Sequence, residues 1–128
     1  MGDLVSSDCI VGRNGGSSSV LDGIGNTPLI DIDAIWCKLE FLNPSGSIKA
    51  RIAKYMIERA EREGRLKPGD TIVEASSGNT GNALSMVAAV KGYRMLVVMP
   101  NGMTSERLAI SRALGAEVLL VGDFHVNA

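Results

Sequence analysis

Histidine is nearly absent from this 128-residue sequence, with His125 the only one. A Ser-His-Asp relay is left with a single possible base, and a histidine-rich metal site lacks ligands. Cysteine is scarce too. Cys9 and Cys37 make neither a disulfide framework nor a metal-ligand spacing, so no metal is expected and a reducing, cytoplasmic compartment is. Cys37, inside an apolar run, reads as a small core residue. Aromatics are only 4% of the chain, too few for stacking platforms that hold single strands. A formal net charge of −1 gives no electrostatic reason for binding nucleic acid or an acidic membrane surface. The longest apolar stretch, near Leu84 to Val90, falls far short of the ~20 residues that cross a bilayer. Asp3 and Asp8 spoil a basic signal-peptide start. Met1-Gly2 with Ser6 matches only the short myristoylation pattern.

What is present suffices for one ordinary domain, since 45% of residues are hydrophobic. Residues 1–19 form a glycine- and serine-rich head with little to bury, and are expected to be mobile. Residues 20–128 carry the structure. Val20 to Gly25 can make one short helical turn, and Gly25-Asn26-Thr27-Pro28-Leu29 a turn into extended chain. Leu29 to Ile32 and Ala34 to Leu39 read as short strands separated by Asp33. From Ser47 the period becomes helical, with Ile48, Ile52, Tyr55, Met56 and Ala60 as the apolar stripe and Gly64 as the stop. Strands then follow at Thr71–Ala75, Arg94–Met99 and Glu117–Val121, alternating with helices at Thr80–Val90 and Thr104–Leu114. Onsets about 23 residues apart fit right-handed β-α units, hence an α/β fold: a small open parallel sheet flanked by helices. Leu96-Val97-Val98 and Val118 to Val121 are continuous apolar runs, which predicts strands buried on both faces. Asp123 looks like the cap of a helix that barely begins, so the chain is expected to be a fragment or to meet a partner surface.

Two stretches can carry chemistry. Asn43-Pro44-Ser45-Gly46-Ser47-Ile48-Lys49-Ala50-Arg51 joins a breaker-rich turn, a helix start capped by Ser45 or Ser47, and a lysine just inside it. A free lysine amine, with pKa ~10.4, is protonated at neutral pH. A helix N-terminus disfavours that cation by only ~0.3–1 kcal/mol, so burial or condensation with an aldehyde must do the rest. The plain alternative is a solvated lysine at a helix end, although this end is electrostatically the wrong one for a cation. The second stretch, Ser76-Ser77-Gly78-Asn79-Thr80-Gly81, lies where a parallel strand ends and a helix opens. Open α/β sheets bind ligands there, and its amides and hydroxyls suit a carboxylate or phosphate. The alternative is a capped connection. It is neither a dinucleotide fingerprint nor a P-loop. Met103 to Arg107 reads as a structural cap with an exposed arginine, and Gly12 to Gly16 follows no strand.

Taken together, Gly25 to Leu29, Lys38-Leu39-Glu40, Asn43 to Arg51 and Ser77 to Gly81 occur in the order seen in the cysteine synthase family. The chain resembles that family, fold type II pyridoxal-phosphate enzymes that include cystathionine β-synthase, from about Gly25 to Val121. The resemblance implies pyridoxal 5'-phosphate as cofactor, with Lys49 holding it as an internal aldimine and moving the substrate α-proton. Asn79 would bond the cofactor ring hydroxyl, and Ser76, Ser77, Asn79 and Thr80 the substrate carboxylate. The activity implied is β-replacement on O-acetylserine or O-phosphoserine, through an aminoacrylate to which sulfide or another thiol adds. Ala50 stands where the family usually carries Asp, and Ala75-Ser76 where it carries Pro-Thr.

The family's glycine-rich phosphate cup and the residue facing the pyridine nitrogen belong to a later part of its enzymes. What this sequence matches is the N-terminal segment and small domain. The isolated chain is therefore expected to be inactive, with a homodimer or a complementary C-terminal part as partner. Two alternatives stand beside this reading. A serine/threonine dehydratase shares the fold, but its lysine motif usually has Phe before the lysine and Gly after the arginine, where this chain has Ile48 and Ile52. The other is a non-catalytic truncated domain that binds a partner.

Overall fold

The computed structural model describes residues 19–122. The head up to Ser18, the Asp123 cap, Cys9 and His125 lie outside the described residues. Ser19 itself is part of the structure: its Oγ accepts the Leu21 amide at 3.2 Å and caps a 3-10 turn over Val20–Gly23.

Two short strands come next, β1 (Leu29–Ile32) and β2 (Ile35–Lys38), paired antiparallel with Ile32 opposite Ile35. Asp33 and Ala34 alone make the turn, with φ of 47° and 70°. A two-residue hairpin needs positive φ at both central positions, so Ala34 is drawn out of the strand that its apolar character predicts. The Asp31 carboxylate accepts the Ala34 amide at 3.0 Å and braces the turn. Cys37 is a half-buried free thiol on β2 rather than a core residue.

Helix α1 (Lys49–Arg62) follows, then β3 (Thr71–Ala75), α2 (Asn79–Lys91), β4 (Arg94–Pro100), α3 (Ser105–Ala113) and β5 (Glu117–Val121). The three later strands form a parallel sheet in the order β3-β4-β5. Every element of the expected β-α alternation is present, with ends within two residues of the sequence pattern. Each crossover steps the same way along the sheet. Right-handed connections then put α2 and α3 on one face, and the burial alternation of β4 agrees. Met95, Val97 and Met99 are buried toward the helices, while Val73, Leu119 and Val121 are exposed. The strands are thus not buried on both faces as their composition predicts, because only one helical layer is present among the described residues.

Helix α2 is buried along all of Gly81 to Ala88, between the sheet, α1 and α3. Its polar groups in that stretch are satisfied. The Ser111 hydroxyl donates to Asn82 Oδ1 at 2.8 Å, and Ser85 to the Gly81 carbonyl at 2.7 Å. Gly92, at φ 78°, closes the helix in the left-handed conformation that favours glycine. Against α2 lies a face of α1 that hydropathy spacing does not pick out. Ala50, Ala53 and Ile57 are buried, whereas Ile48, Ile52, Tyr55 and Met56 are exposed. Two apolar stripes share this helix, and the one with alanines allows the closer approach.

The hairpin offers a direct check on backbone strain. Ala34→Gly is expected to stabilise the protein by about 0.5–1 kcal/mol, because glycine has no Cβ to clash at positive φ. A rise in the denaturant midpoint measures it, and a fall would show that Ala34 is not held in this turn.

Candidate active site

The site begins at the start of α1. Asn43 and Pro44 follow a 3-10 turn over Glu40–Leu42, and the Ser47 hydroxyl accepts the Lys49 amide at 3.2 Å. Ser47, not Ser45, therefore caps this helix. Ser45 Oγ is buried and has no hydrogen-bond partner among the described residues. The Lys49 side chain is half-buried, and its ammonium makes no hydrogen bond or ion pair among the described residues.

The second loop leaves the end of β3. The Ser76 amide donates to the Val98 carbonyl at 3.0 Å, extending the sheet by one bond. Its hydroxyl oxygen accepts from the Gly78 and Gly81 amides, at 3.3 and 3.0 Å, and folds the loop into the first turn of α2. Gly81 makes this closure possible. A Cβ there would sit 3.2 Å from Val97 Cγ1 and 3.3 Å from Ser76 Cβ, so α2 rests directly on the sheet. Asn79 is exposed, and Ser77 and Thr80 are half-buried. Arg107 of α3 donates to the Ser77 carbonyl at 2.9 Å. That arginine holds the loop, a role no local motif signals, since it bonds backbone thirty residues away.

The two loops share one end of the molecule. Glu61, in the last turn of α1, accepts from Lys91 at 2.8 Å and from the Tyr93 hydroxyl at 2.9 Å, just past the end of α2. The helices pack side by side with these C-terminal ends tied. Lys49 lies twelve residues before Glu61, and Asn79 twelve before Lys91. At 1.5 Å per residue each start is ~18 Å along its own helix from the tie.

Behind Lys49 lies a polar clamp. Arg51 donates through Nε to Glu40 Oε2 at 2.8 Å and through Nη2 to Glu40 Oε1 at 2.9 Å. The Thr27 hydroxyl donates to Glu40 Oε1 at 2.6 Å and accepts from Arg51 Nη2 at 3.2 Å. Asn43 Nδ2 donates to the Glu40 carboxylate and carbonyl at 2.9 and 2.8 Å, and its Oδ1 accepts the Gly25 amide at 2.9 Å. Lys38 donates to the Thr27 carbonyl. Gly25 has φ 94° and passes close to the guanidinium, where a Cβ would lie 3.0 Å from Arg51 Nη1. Thr27 and Asn43 are 6% and 3% exposed, so the network joins the segment before the hairpin, the turn after it and α1. The bonds from Arg51, and then from Thr27, hold the Glu40 carboxyl down at about 2. The same pairing raises Arg51 further.

A lysine opens α1 and a polar loop opens α2, the helix packed against it, and comparison with known proteins gives the family. A family profile described as "Pyridoxal-phosphate dependent enzyme" matches residues 20–128. The chain belongs to that family. It is 51% identical over 112 residues to cysteine synthase B of Escherichia coli, covering 81% of this chain and 37% of the relative. It is likewise 51% identical over 110 residues to mouse cystathionine beta-synthase, covering 78% of this chain and 20% of the relative. Among solved structures, a hydrogen sulfide-producing enzyme from Fusobacterium nucleatum superposes with a TM-score of 0.83 at 46% identity, over 91% of this chain and 41% of that one. O-ureido-L-serine synthase superposes equally well at 41% identity, over 89% and 38%. The chain thus spans little more than a third of the bacterial cysteine synthase it matches. The family's cofactor is pyridoxal phosphate, as the motifs imply. No helix among the described residues is long and apolar enough to cross a membrane.

The clamp makes an acid-stability prediction. Because the Glu40 carboxyl titrates lower in the folded protein than its ordinary 4.5, its contribution is complete above about pH 4.5 and is lost as pH falls toward 2. Glu40→Gln is expected to lower the melting temperature at pH 7 and to flatten its decline between pH 5 and 2. An unchanged acid profile would show that Glu40 carries none of that dependence.

Proposed function

We propose that this chain supplies the cofactor lysine and the substrate-carboxylate loop of a cytoplasmic, pyridoxal-phosphate-dependent enzyme making cysteine by β-replacement. The substrate class is a serine activated at its hydroxyl, as O-acetylserine or O-phosphoserine, with sulfide or another thiol as the incoming nucleophile. The supporting observation is that α1 and α2 pack together with their C-terminal ends tied through Glu61, Lys91 and Tyr93, so that Lys49 and the Ser76–Gly81 loop both lie at the opposite, N-terminal ends.

The residues present fit the cofactor. Ser45 Oγ is a buried hydroxyl without a partner among the described residues, four positions before a lysine whose ammonium makes no hydrogen bond or ion pair among them either. An aldehyde with a nearby polar ring suits that donor set. Lys49 would hold it through its amine, and Asn79 through the ring hydroxyl. When bound, the cofactor supplies an electron sink for the carbanion at the substrate α-carbon.

The rest belongs to the chain's own side chains. Ser76, Ser77, Asn79 and Thr80 orient the substrate by its carboxylate, which also benefits from the positive end of α2. Lys49 Nζ would take the α-proton and could return it. Arg51 and Glu40 act as positioning residues by fixing the first turn of α1. In this reading the active assembly includes the remainder of the family fold, in a homodimer or with a complementary chain, and the isolated 128 residues are inactive.

Borohydride reduction of the assembled, cofactor-loaded protein followed by peptide mapping tests the assignment. The expected result is a pyridoxyl tag on Lys49, and Lys49→Ala is expected to lower turnover by about 10²–10⁴-fold or more. A tag on another lysine, or on none, would end this reading. Ser45→Ala separates cofactor binding from folding. Removing an unsatisfied buried hydroxyl is expected to leave stability unchanged or raise it by up to ~1 kcal/mol. Cofactor retention in the assembled protein is expected to fall in the same variant. Lost stability with unaltered retention would place Ser45 in the scaffold instead.

A further inference from the structure

Arg107 directs its charge away from the obvious partner. It follows Glu106 in the first turn of α3, yet the two form no ion pair among the described residues. The Glu106 carboxylate turns back to its own helix start. Bonds to its own amide and to the Thr104 hydroxyl hold it below the usual carboxylate range. Arg107 Nη1 instead reaches across to the Ser77 carbonyl at 2.9 Å, with Met103 Sδ 3.6 Å away.

That carbonyl belongs to the peptide between Ser77 and Gly78, whose N–H donates to Ser76 Oγ at 3.3 Å. The C=O and N–H of a trans peptide point opposite ways, so this one plane is held at both ends. It is also the plane that most needs holding. Glycine accepts either sign of φ, so the Ser77–Gly78 peptide turns over more readily than its neighbours, and Gly81 is already fixed within α2. The amides of Ser77, Asn79 and Thr80 have no acceptor among the described residues. An anion at this helix start would be met by those N–H groups. Turning the Ser77–Gly78 plane over would put a carbonyl oxygen where the Gly78 N–H now faces into the loop, a dipole of the wrong sign for an anion.

We propose that Arg107 is a positioning residue for the substrate carboxylate: it draws the Ser77 carbonyl toward α3 and so keeps the loop's free amides open to the anion. The inference rests on the functional reading above, which makes this loop the carboxylate site, and adds to it a residue that touches neither substrate nor cofactor. Arg107 acts only through the peptide it holds.

The test uses the isotope-labelled 128-residue chain, with acetate as a bare carboxylate probe at constant ionic strength, and reads single amides by NMR. In the parent, acetate is expected to shift the Ser77, Asn79 and Thr80 amides. Arg107→Ala is expected to raise the acetate midpoint about tenfold or more, and to speed exchange of the Gly78 amide with water about as much. Arg107→Lys keeps a cationic donor for a contact that uses a single nitrogen, and is expected to restore both to within about threefold of the parent. The melting temperature should stay within about 2 °C across the three proteins, and exchange along Ala83–Ala88 of α2 should not change. An unaltered midpoint and unaltered Gly78 exchange in Arg107→Ala would overturn the proposal. So would the same changes accompanied by faster exchange along α2, which mark a purely structural arginine. A parent that ignores acetate would overturn it as well, while leaving the Lys49 assignment to the borohydride tag. Acetate binding governed by Arg107, with no tag on Lys49, would sink the functional reading alone.

Discussion

Everything at the candidate site depends on the contact between α1 and α2. Ala50 and Ala53 have no bulk beyond Cβ, so α1 can settle closely on the fully buried stretch of α2. Close packing fixes register as well as distance, because interdigitated side chains resist sliding. A shift of one helical turn would move Lys49 ~5.4 Å along α1 relative to α2. Glu61, held by Lys91 and Tyr93, locks the far ends against such a shift. Its carboxyl is held below the usual carboxylate range chiefly by the Lys91 bond, so the lock is charged throughout the neutral range.

The hairpin plays a different part. Its own side chains are largely exposed, and its attachment to the body is polar. Arg51 anchors that attachment only two residues past Lys49, so the same side chain fastens the segments around the hairpin and sets the first turn of the helix. Breaking one member would strand others, since Thr27 and Asn43 are too deeply buried to turn to water. The polar network and the helix contact therefore constrain the lysine from two sides.

Much of this was legible in the sequence. Strands at Thr71–Ala75 and Glu117–Val121 were bounded by turn residues and had no helical period to compete with. The helices between them followed from Gly64, Gly92 and Gly115 as stops. What could not be read was which surface each element turns inward. On α1 both stripes are apolar, and only contact with α2 selects the alanines. In the sheet, a continuous apolar run says that a strand suits burial on two sides, not that both sides are covered here. The motif residues Thr27, Glu40, Asn43 and Arg51 were recognisable as family landmarks by order alone. Separations of 11 and 24 residues gave no hint that Arg51 gathers Glu40 and Thr27 into one network. Arg107 is exposed as its cap motif suggests, but its bond to the Ser77 carbonyl is invisible in the motif because that partner lies thirty residues away.

The Ser76 hydroxyl has a consequence for how a ligand could enter. Its oxygen already receives two amide hydrogens from its own loop, which uses its accepting capacity. A hydroxyl has one proton besides, and that proton can be offered outward without disturbing either bond. An arriving anion could thus be gripped by a loop that stays folded. Capture there would need a rotation of one O–H bond rather than a rearrangement of the chain.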